Sequence, residues 1–429
     1  MRKPFLLLIV QLFSFQLFAQ PKTDGFLVDL LKKQNDSILK LVMASPDSFN
    51  FQIIYTKIDR DRRNRPSFKN YYYHVDSKRY FNPASTVKMP LAFLALEKLN
   101  EMNPPWADMN SILQYDSGYN AQTREYTDST SETGLPSIAQ YIRKVLLVSD
   151  NEAYNRLYEF IGQQSINRRL HSMGYPETRI TRRFVRMTPE ENRYTNPIYI
   201  TNPKTKERIL QPMARNTDSF DFSNVHKMGR AYIDREGKLI PEPMDFTTHN
   251  NLPVEDLQQL LQSVMFPSSV PMEKRFRLTP ADYQFLYQYL SQYPSETNYP
   301  KYDSSHYYDS YVKFYFTNSG RTIPLNIRVF NKVGWAYGCM TDVSYVADFE
   351  NKIEYMITAT IYVNKDGIMN DDRYEYETIA LPWFNAIGKA IYGYELKRKR
   401  QHAPDLSSFK LKYEVRKNDG RKTIREVDN

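Results

Sequence analysis

One cysteine, Cys339, stands in the 429 residues. No intramolecular disulfide can form, so packing must hold the fold, and a lone cysteine of this kind reads as a small buried apolar residue. Histidine is also scarce. The six copies stand singly and no H-E-x-x-H occurs, so metal chemistry has no nucleus and no cofactor is expected. G-x-S-x-G and P-loop patterns are missing as well. After the first twenty residues no apolar run approaches a membrane span, and no internal repeat appears. An excess of positive charge is absent from most of the chain too. The net charge is +9, but Lys397–Asn429 carries eleven Lys/Arg against five Asp/Glu, and Arg2 and Lys3 add two more. The body between them is nearly neutral. The basic balance therefore belongs to a solvated tail and gives no reason to expect nucleic acid.

What is present begins with Met1-Arg2-Lys3-Pro4 ahead of the apolar stretch Phe5–Ala19. That stretch is short and broken by Gln11 and Gln16. Residues 1–19 therefore read as a secretory signal peptide, which predicts a periplasmic or secreted protein with no transmembrane span after its removal. The rest is long enough for two or three structural units. Asp24–Met43 has helical periodicity, and Phe49–Thr56 and Tyr71–Val75 read as strands across the charged turn Asp59–Pro66. Helical patterns then dominate: Leu91–Met102, Leu135–Leu147, Asn151–Ile161, Gln164–Met173, Val254–Met265 and Pro280–Ser291. Strands return at Tyr311–Phe316, Leu325–Phe330, Ser344–Asp348 and Ile353–Tyr362, and a helix over about Arg373–Tyr392 closes the series. This order predicts an α+β fold of two lobes. Residues 24–82 and 308–396 would form an antiparallel sheet flanked by N- and C-terminal helices. Residues 83–307 would form a mostly helical lobe with an insertion at about 198–250, and 397–429 would follow as the basic tail. A site is expected at the seam between the lobes.

The stretch Tyr80-Phe81-Asn82-Pro83-Ala84-Ser85-Thr86-Val87-Lys88 runs into Met89–Leu96, a helix apolar on every side and hence buried all round. Ser85 and Lys88 are three apart at its mouth and share a face. Free N–H groups at a helix start suit developing negative charge, so the pair reads as a nucleophilic serine with its base one turn away. The same spacing recurs at Ser37/Lys40, Ser310/Lys313 and Ser407/Lys410, so spacing alone decides nothing. Two further triplets can face Ser85: Ser149-Asp150-Asn151, between two helices, and Lys332-Val333-Gly334, at the end of a strand. K-x-G also occurs at Lys227-Met228-Gly229 and Lys365-Asp366-Gly367, neither of which follows a strand so clearly.

In this order S-x-x-K, S-D-N and K-x-G resemble the elements of the penicillin-recognising serine enzymes, the class A β-lactamases in particular. Ser149–Leu157 is similar to that family's S-D-N-x-A-x-N-x-L. The resemblance spans roughly Phe26–Lys397 apart from the insertion and implies a β-lactamase/transpeptidase-like fold. It implies that Ser85 attacks a carbonyl and carries the acyl group, with Lys88 as its base, its pKa lowered by desolvation and by Lys332. It implies Ser149 as the relay to the leaving nitrogen, and Asn151, Lys332, Gly334 and Trp335 as substrate-binding positions. The backbone N–H groups of Ser85 and Trp335 would form the oxyanion hole. Glu190 or Glu191, with Asn192 or Asn196 as amide partner, would supply the deacylating carboxylate on a loop longer than the family's. Two departures stand out: Val333 lacks the hydroxyl that helps hold a substrate carboxylate, and Trp335 is bulky where small residues are usual. The resemblance implies an exported serine hydrolase that opens a β-lactam, or a related amide or ester, through an acyl-enzyme at Ser85. The alternatives are a D,D-peptidase-like or esterase relative acting on cell-wall peptide, with slow β-lactam turnover, and a non-catalytic binding protein of the same fold.

Overall fold

The computed structural model describes residues 21–102, 105–317 and 320–427; the expected signal peptide lies outside them. Helices α1 (Gly25–Lys32) and α2 (Ser37–Ala44) stand where one helix is expected over Asp24–Met43, and the single turn α3 (Pro46–Phe49) follows. The break comes at Asp36, whose carboxylate accepts the N–H groups of Ile38 and Leu39 at 2.9 and 3.0 Å and so caps a new helix. Strands β1 (Gln52–Arg60) and β2 (Pro66–Tyr73) form an antiparallel hairpin rich in β-branched and aromatic residues. A 3₁₀ turn over Ala84–Val87 then leads into α4 (Lys88–Glu101). Every residue from Lys88 to Glu97 is buried, as expected for a helix apolar on all sides. Helices α5 (Ile138–Leu147) and α6 (Asn151–Ile161) pack on α4, and α7 (Gln163–Ser172) packs on α6.

The stretch expected as an extended insertion is built of short strand pairs. β3 (Ile112–Tyr115), β4 (Ile198–Thr201) and β5 (Arg208–Gln211) form one small antiparallel sheet. β6 (Lys227–Met228), β7 (Ala231–Ile233), β8 (Leu239–Ile240) and β9 (Met244–Asp245) follow, with β6 paired to β9 and β7 to β8. Helices α8 (Val254–Met265) and α9 (Pro280–Ser291) complete the helical part and lie against the main sheet. That sheet takes in β10 (Ile327–Ala336), β11 (Cys339–Asp348) and β12 (Ile353–Tyr362) in the antiparallel order β10-β11-β12-β1-β2. β13 (Ile368–Met369) pairs in parallel with β7, and α10 (Leu381–Lys397) closes the lobe.

Side chains of β10 alternate between two hydrophobic clusters. Ile327, Val329 and Val333 join α1, α2 and α10, whereas Phe330 joins the α4 side. Period-two geometry therefore turns Lys332 and Gly334 toward the helical lobe and Val333 away from it. As an outer strand, β10 also leaves one edge for the Ser85 turn to pack against.

Two expectations are corrected here. Tyr311–Phe316 is a turn and a 3₁₀ helix over Phe314–Phe316, not a strand. The Lys313 ammonium is drawn inward to the carbonyl of Leu290 and to Asn331 Oδ1, and the Phe314 N–H donates to the Asp342 carboxylate, so no ladder forms. The basic tail is not a free solvated segment. Phe409 packs on Phe266, Phe330 and Tyr345, Arg416 donates to the carbonyl of Tyr302, and Ile424 bridges to Tyr302. No helix among the described residues is long and apolar enough to cross a membrane.

Candidate active site

Ser85 sits in the 3₁₀ turn ahead of α4. Asn82 Oδ1 accepts the N–H of Ala84 at 2.9 Å, and the Pro83 carbonyl accepts both the N–H and the hydroxyl of Thr86. Ala84 adopts a φ of 44°, unusual for a residue with a side chain, which these bonds sustain. Ser85 lines a cleft of about 1050 Å³, together with Asn151, Phe184 and Trp335. No hydrogen bond to its hydroxyl occurs among the described residues, which leaves the oxygen open to the cleft.

Lys88 is buried on the first turn of α4. Its ammonium donates to the Ser149 carbonyl, to Asn151 Oδ1 at 2.7 Å and to Ser149 Oγ at 3.4 Å. Burial pulls its pKa down to about 7, with Asp150 opposing. Lys332 reaches the same hydroxyl from β10: its Nζ donates to Ser149 Oγ at 2.8 Å and to the Val333 carbonyl at 2.7 Å. Its pKa also falls well below the ordinary lysine value, first through burial and then through the neighbouring Lys88. Ser149 is held at φ 66° directly before α6, which Asp150 caps by accepting the Ala153 N–H at 2.8 Å. One hydroxyl thus bridges two buried amines, an arrangement suited to carrying a proton between them.

Gly334 lies against the Ser85 turn. A Cβ built on it would stand 2.7 Å from the Pro83 carbonyl oxygen and 2.8 Å from the nitrogens of Ser85 and Thr86. Trp335 lines the cleft while its ring meets Tyr311 and Phe314 edge-on. Val333 is fully buried on the far side of the sheet. A hydroxyl at this position would not face the cleft, so the chemical departure noted in the sequence has a different meaning: residue 333 is a core position. Val333→Thr is expected to lower stability by about 1–3 kcal/mol without raising the rate of acyl transfer. Urea denaturation and a labelling time course measure the two effects.

Glu190 and Glu191 do not join this group, which corrects their assignment. The Glu190 carboxylate pairs with Arg215 at 2.8 Å, and Glu191 caps its own loop by accepting the N–H and hydroxyl of Thr188. Glu190 is exposed, Glu191 is half-buried, and neither lines the cleft. Asn192 is spent on the Arg183 N–H and the Thr188 carbonyl, and the Asn196 amide nitrogen donates to the carbonyls of Asp116 and Thr123. The ring of Phe184 instead stands 5.1 Å from the Lys88 ammonium, with Phe184 N–H bonded to Asn155 Oδ1. Glu190→Gln and Glu191→Gln are each expected to leave the lifetime of a Ser85 adduct unchanged; trapping of the adduct by either variant would restore the carboxylate role.

Sequence reasoning did not find Phe184, Arg182 or His249, all of which line the cleft. The signal for Phe184 is Asn155, the last residue of the S-D-N-x-A-x-N run, which ties the loop to α6. Residues Tyr232–Glu236 and Asn370–Tyr376 supply a further wall. They come together because β7 pairs with β13 and Asn370 Nδ2 donates to the Ile233 carbonyl.

Residues 35–221 match the model of the Beta-lactamase enzyme family. Among solved structures, the chain is similar to a β-lactamase from Xanthomonas campestris at 12% identity, covering 86% of this chain and 99% of that one, with a TM-score of 0.46. A β-lactamase from Streptosporangium roseum aligns at 15% identity over 85% and 99%, with a TM-score of 0.45. One from Burkholderia ambifaria aligns at 12% over 87% and 100%, with a TM-score of 0.44. No curated protein matches.

Proposed function

We propose that the chain is a β-lactamase-like serine hydrolase, a reading supported by the match of residues 35–221 to the Beta-lactamase enzyme family, and that it forms an acyl-enzyme at Ser85 with a β-lactam or cell-wall peptide amide and releases the acyl group slowly. The observation that carries the slow release is the apolar ring of Phe184 over Lys88, with no carboxylate hydrogen-bonded to Ser85, Lys88, Ser149, Asn151 or Lys332 among the described residues.

The groups around Ser85 support acylation. Ser85 Oγ attacks the carbonyl carbon as its proton passes to Lys88, whose amine is half neutral near pH 7. The charge gathering on the carbonyl oxygen is received by the N–H groups of Ser85 and Trp335 where β10 meets the turn. Ser149 Oγ, bonded to both lysines, returns a proton to the departing nitrogen. Asn151 accepts from Lys88 through Oδ1, which leaves its amide N–H groups for the substrate. Lys332, beside the Ser149 hydroxyl, is placed to hydrogen-bond a substrate carboxylate, whose charge in turn favours the protonated amine. The basic and apolar opening of the sequence, Arg2–Ala19, supports placement in the bacterial envelope.

A fluorescent penicillin tests the reading. The native protein is expected to take up label that persists for many minutes, and Ser85→Ala to take up none. Rapid appearance of hydrolysed product with no standing label would overturn slow release, and absence of both label and product would overturn acylation.

A further inference from the structure

Arg182 and His249 stand where two cavities meet. The cleft beside Ser85 and a side cavity of about 240 Å³ share three lining residues, Arg182, Arg235 and His249. Met187, Phe220 and Phe222 give the side cavity its apolar walls, with the two phenylalanine rings 5.9 Å apart. Arg193 and Arg179 cover these rings at 5.7 and 5.3 Å and hold them in place. The space is ample for one aromatic ring, since about 150 Å³ admits benzene.

The mouth is charged. Arg182 pairs with no carboxylate among the described residues; its guanidinium donates to the His249 ring, 2.8 Å from Nε2. Burial and the adjacent Arg182 pull the His249 pKa down to about 3, so the imidazole is neutral and can accept the guanidinium N–H. Of the carboxylates lining the cleft, Asp234 is engaged by the N–H groups of Glu236 and Lys238 in its own turn. The Arg182 main chain is fixed independently of its side chain: Asn250 Oδ1 accepts its N–H at 3.1 Å and Tyr154 donates to its carbonyl at 2.8 Å.

The geometry points to a second specificity subsite beyond the acylation centre: an aryl group of the substrate enters the Met187–Phe220–Phe222 cavity, and a carboxylate next to it is held by Arg182 at the mouth. This rests on the reading that the cleft binds acyl donors, because the subsite receives the side chain of the acyl part. The sequence segment that builds it, with Phe220 and Phe222, is the insertion whose purpose the motifs leave open.

Two soluble fragments isolate the effect. Phenylmalonic acid monoamide and phenylacetamide differ by one carboxylate, and neither can acylate a serine under these conditions. Their binding to the full chain is measured by calorimetry or by ligand-observed NMR. The monoamide is expected to bind about tenfold or more tightly than phenylacetamide, the worth of one hydrogen bond to a charged partner. Arg182→Gln should erase the preference, Arg182→Lys should restore part of it, and Phe222→Ala should weaken both amides several-fold. Equal or absent binding in the native protein, a preference that survives Arg182→Gln, or indifference to Phe222→Ala would overturn the subsite. Because no bond to Ser85 is made, failure of acylation is scored separately: missing penicillin label with the fragment preference intact overturns the acyl-enzyme and leaves the subsite standing.

Discussion

Lys88→Met is expected to slow acylation of Ser85 by about 100- to 10,000-fold, the usual worth of a general base. Charge is not what is lost. Lys88→Arg keeps a cation but cannot give up its proton, and the expected loss is of the same order. The native pH profile separates the base from a mere structural lysine. With the Lys88 pKa near 7, the amine is mostly protonated at pH 6 and mostly free at pH 8, so the acylation rate should climb through pH 7 and level off above 8. A flat rate between pH 6 and 8, or full activity in the methionine variant, would remove Lys88 as the base.

The same burial has a consequence for stability, and its sign is opposite to a salt bridge's. Lys88 and Lys313 both have pKa values drawn down to about 7 in the folded chain, against an ordinary value of 10.5. Between pH 7 and 10.5 the unfolded chain binds the extra protons, so stability from these groups rises with pH across that window and is flat below it. Buried tyrosines reverse the trend only once unfolded tyrosine begins to ionise near pH 10. Denaturant midpoints should therefore increase from pH 7 to 9, and Lys313→Met should flatten the increase. A midpoint that falls over this range would contradict the burial of neutral amines.

How far the sequence led depended on whether the deciding partner was local. Helices α6, α8 and α9 begin and end where periodicity predicts, and α6 and α9 carry their own signals: Asp150 caps one, and Thr279 with Asp282 forms a capping box on the other. Lys88, Ser149, Asn151 and Lys332 were chosen by motif order, and hydrogen bonds join them across 244 positions of chain. Residues whose role is set by distant contacts were misread. Tyr311–Phe316 alternates like a strand, yet Lys313 is turned inward by Leu290 and Asn331, and only the packed chain reveals it. The tail reads as solvated because its charges are dense, while Phe409 and Leu406 are the residues that anchor it. Glu190 and Glu191 fall in the stretch where the resemblance implies a carboxylate, and nothing in a sequence tells an arginine-paired or loop-capping glutamate from a cleft one. Phe184, six residues earlier, occupies the place beside Lys88.

Gly334→Ala is expected to be the most damaging single methyl in the cleft. The backbone dihedral at Gly334 is one that any residue adopts, so the need for glycine is purely steric. The three atoms that a Cβ would meet, at 2.7 to 2.8 Å, are backbone atoms of Pro83, Ser85 and Thr86, and no rotamer change can relieve them. Either β10 moves outward or the 3₁₀ turn does, and both carry groups assigned to the reaction: Lys332 and Trp335 on the strand, Ser85 on the turn. Overpacking of this kind costs about 1–3 kcal/mol of stability. The functional loss should be larger than that figure suggests, about 100-fold in acylation, because a displacement on the order of 1 Å spoils attack geometry. Gly393→Ala supplies the contrast: it lies in α10, has nothing within 4 Å of an added Cβ, and should gain up to about 1 kcal/mol of helix stability with acylation unchanged. If Gly334→Ala retains native acylation, the edge of β10 does not press on the Ser85 turn as described. The N–H of Trp335 would then have no fixed place in the oxyanion hole.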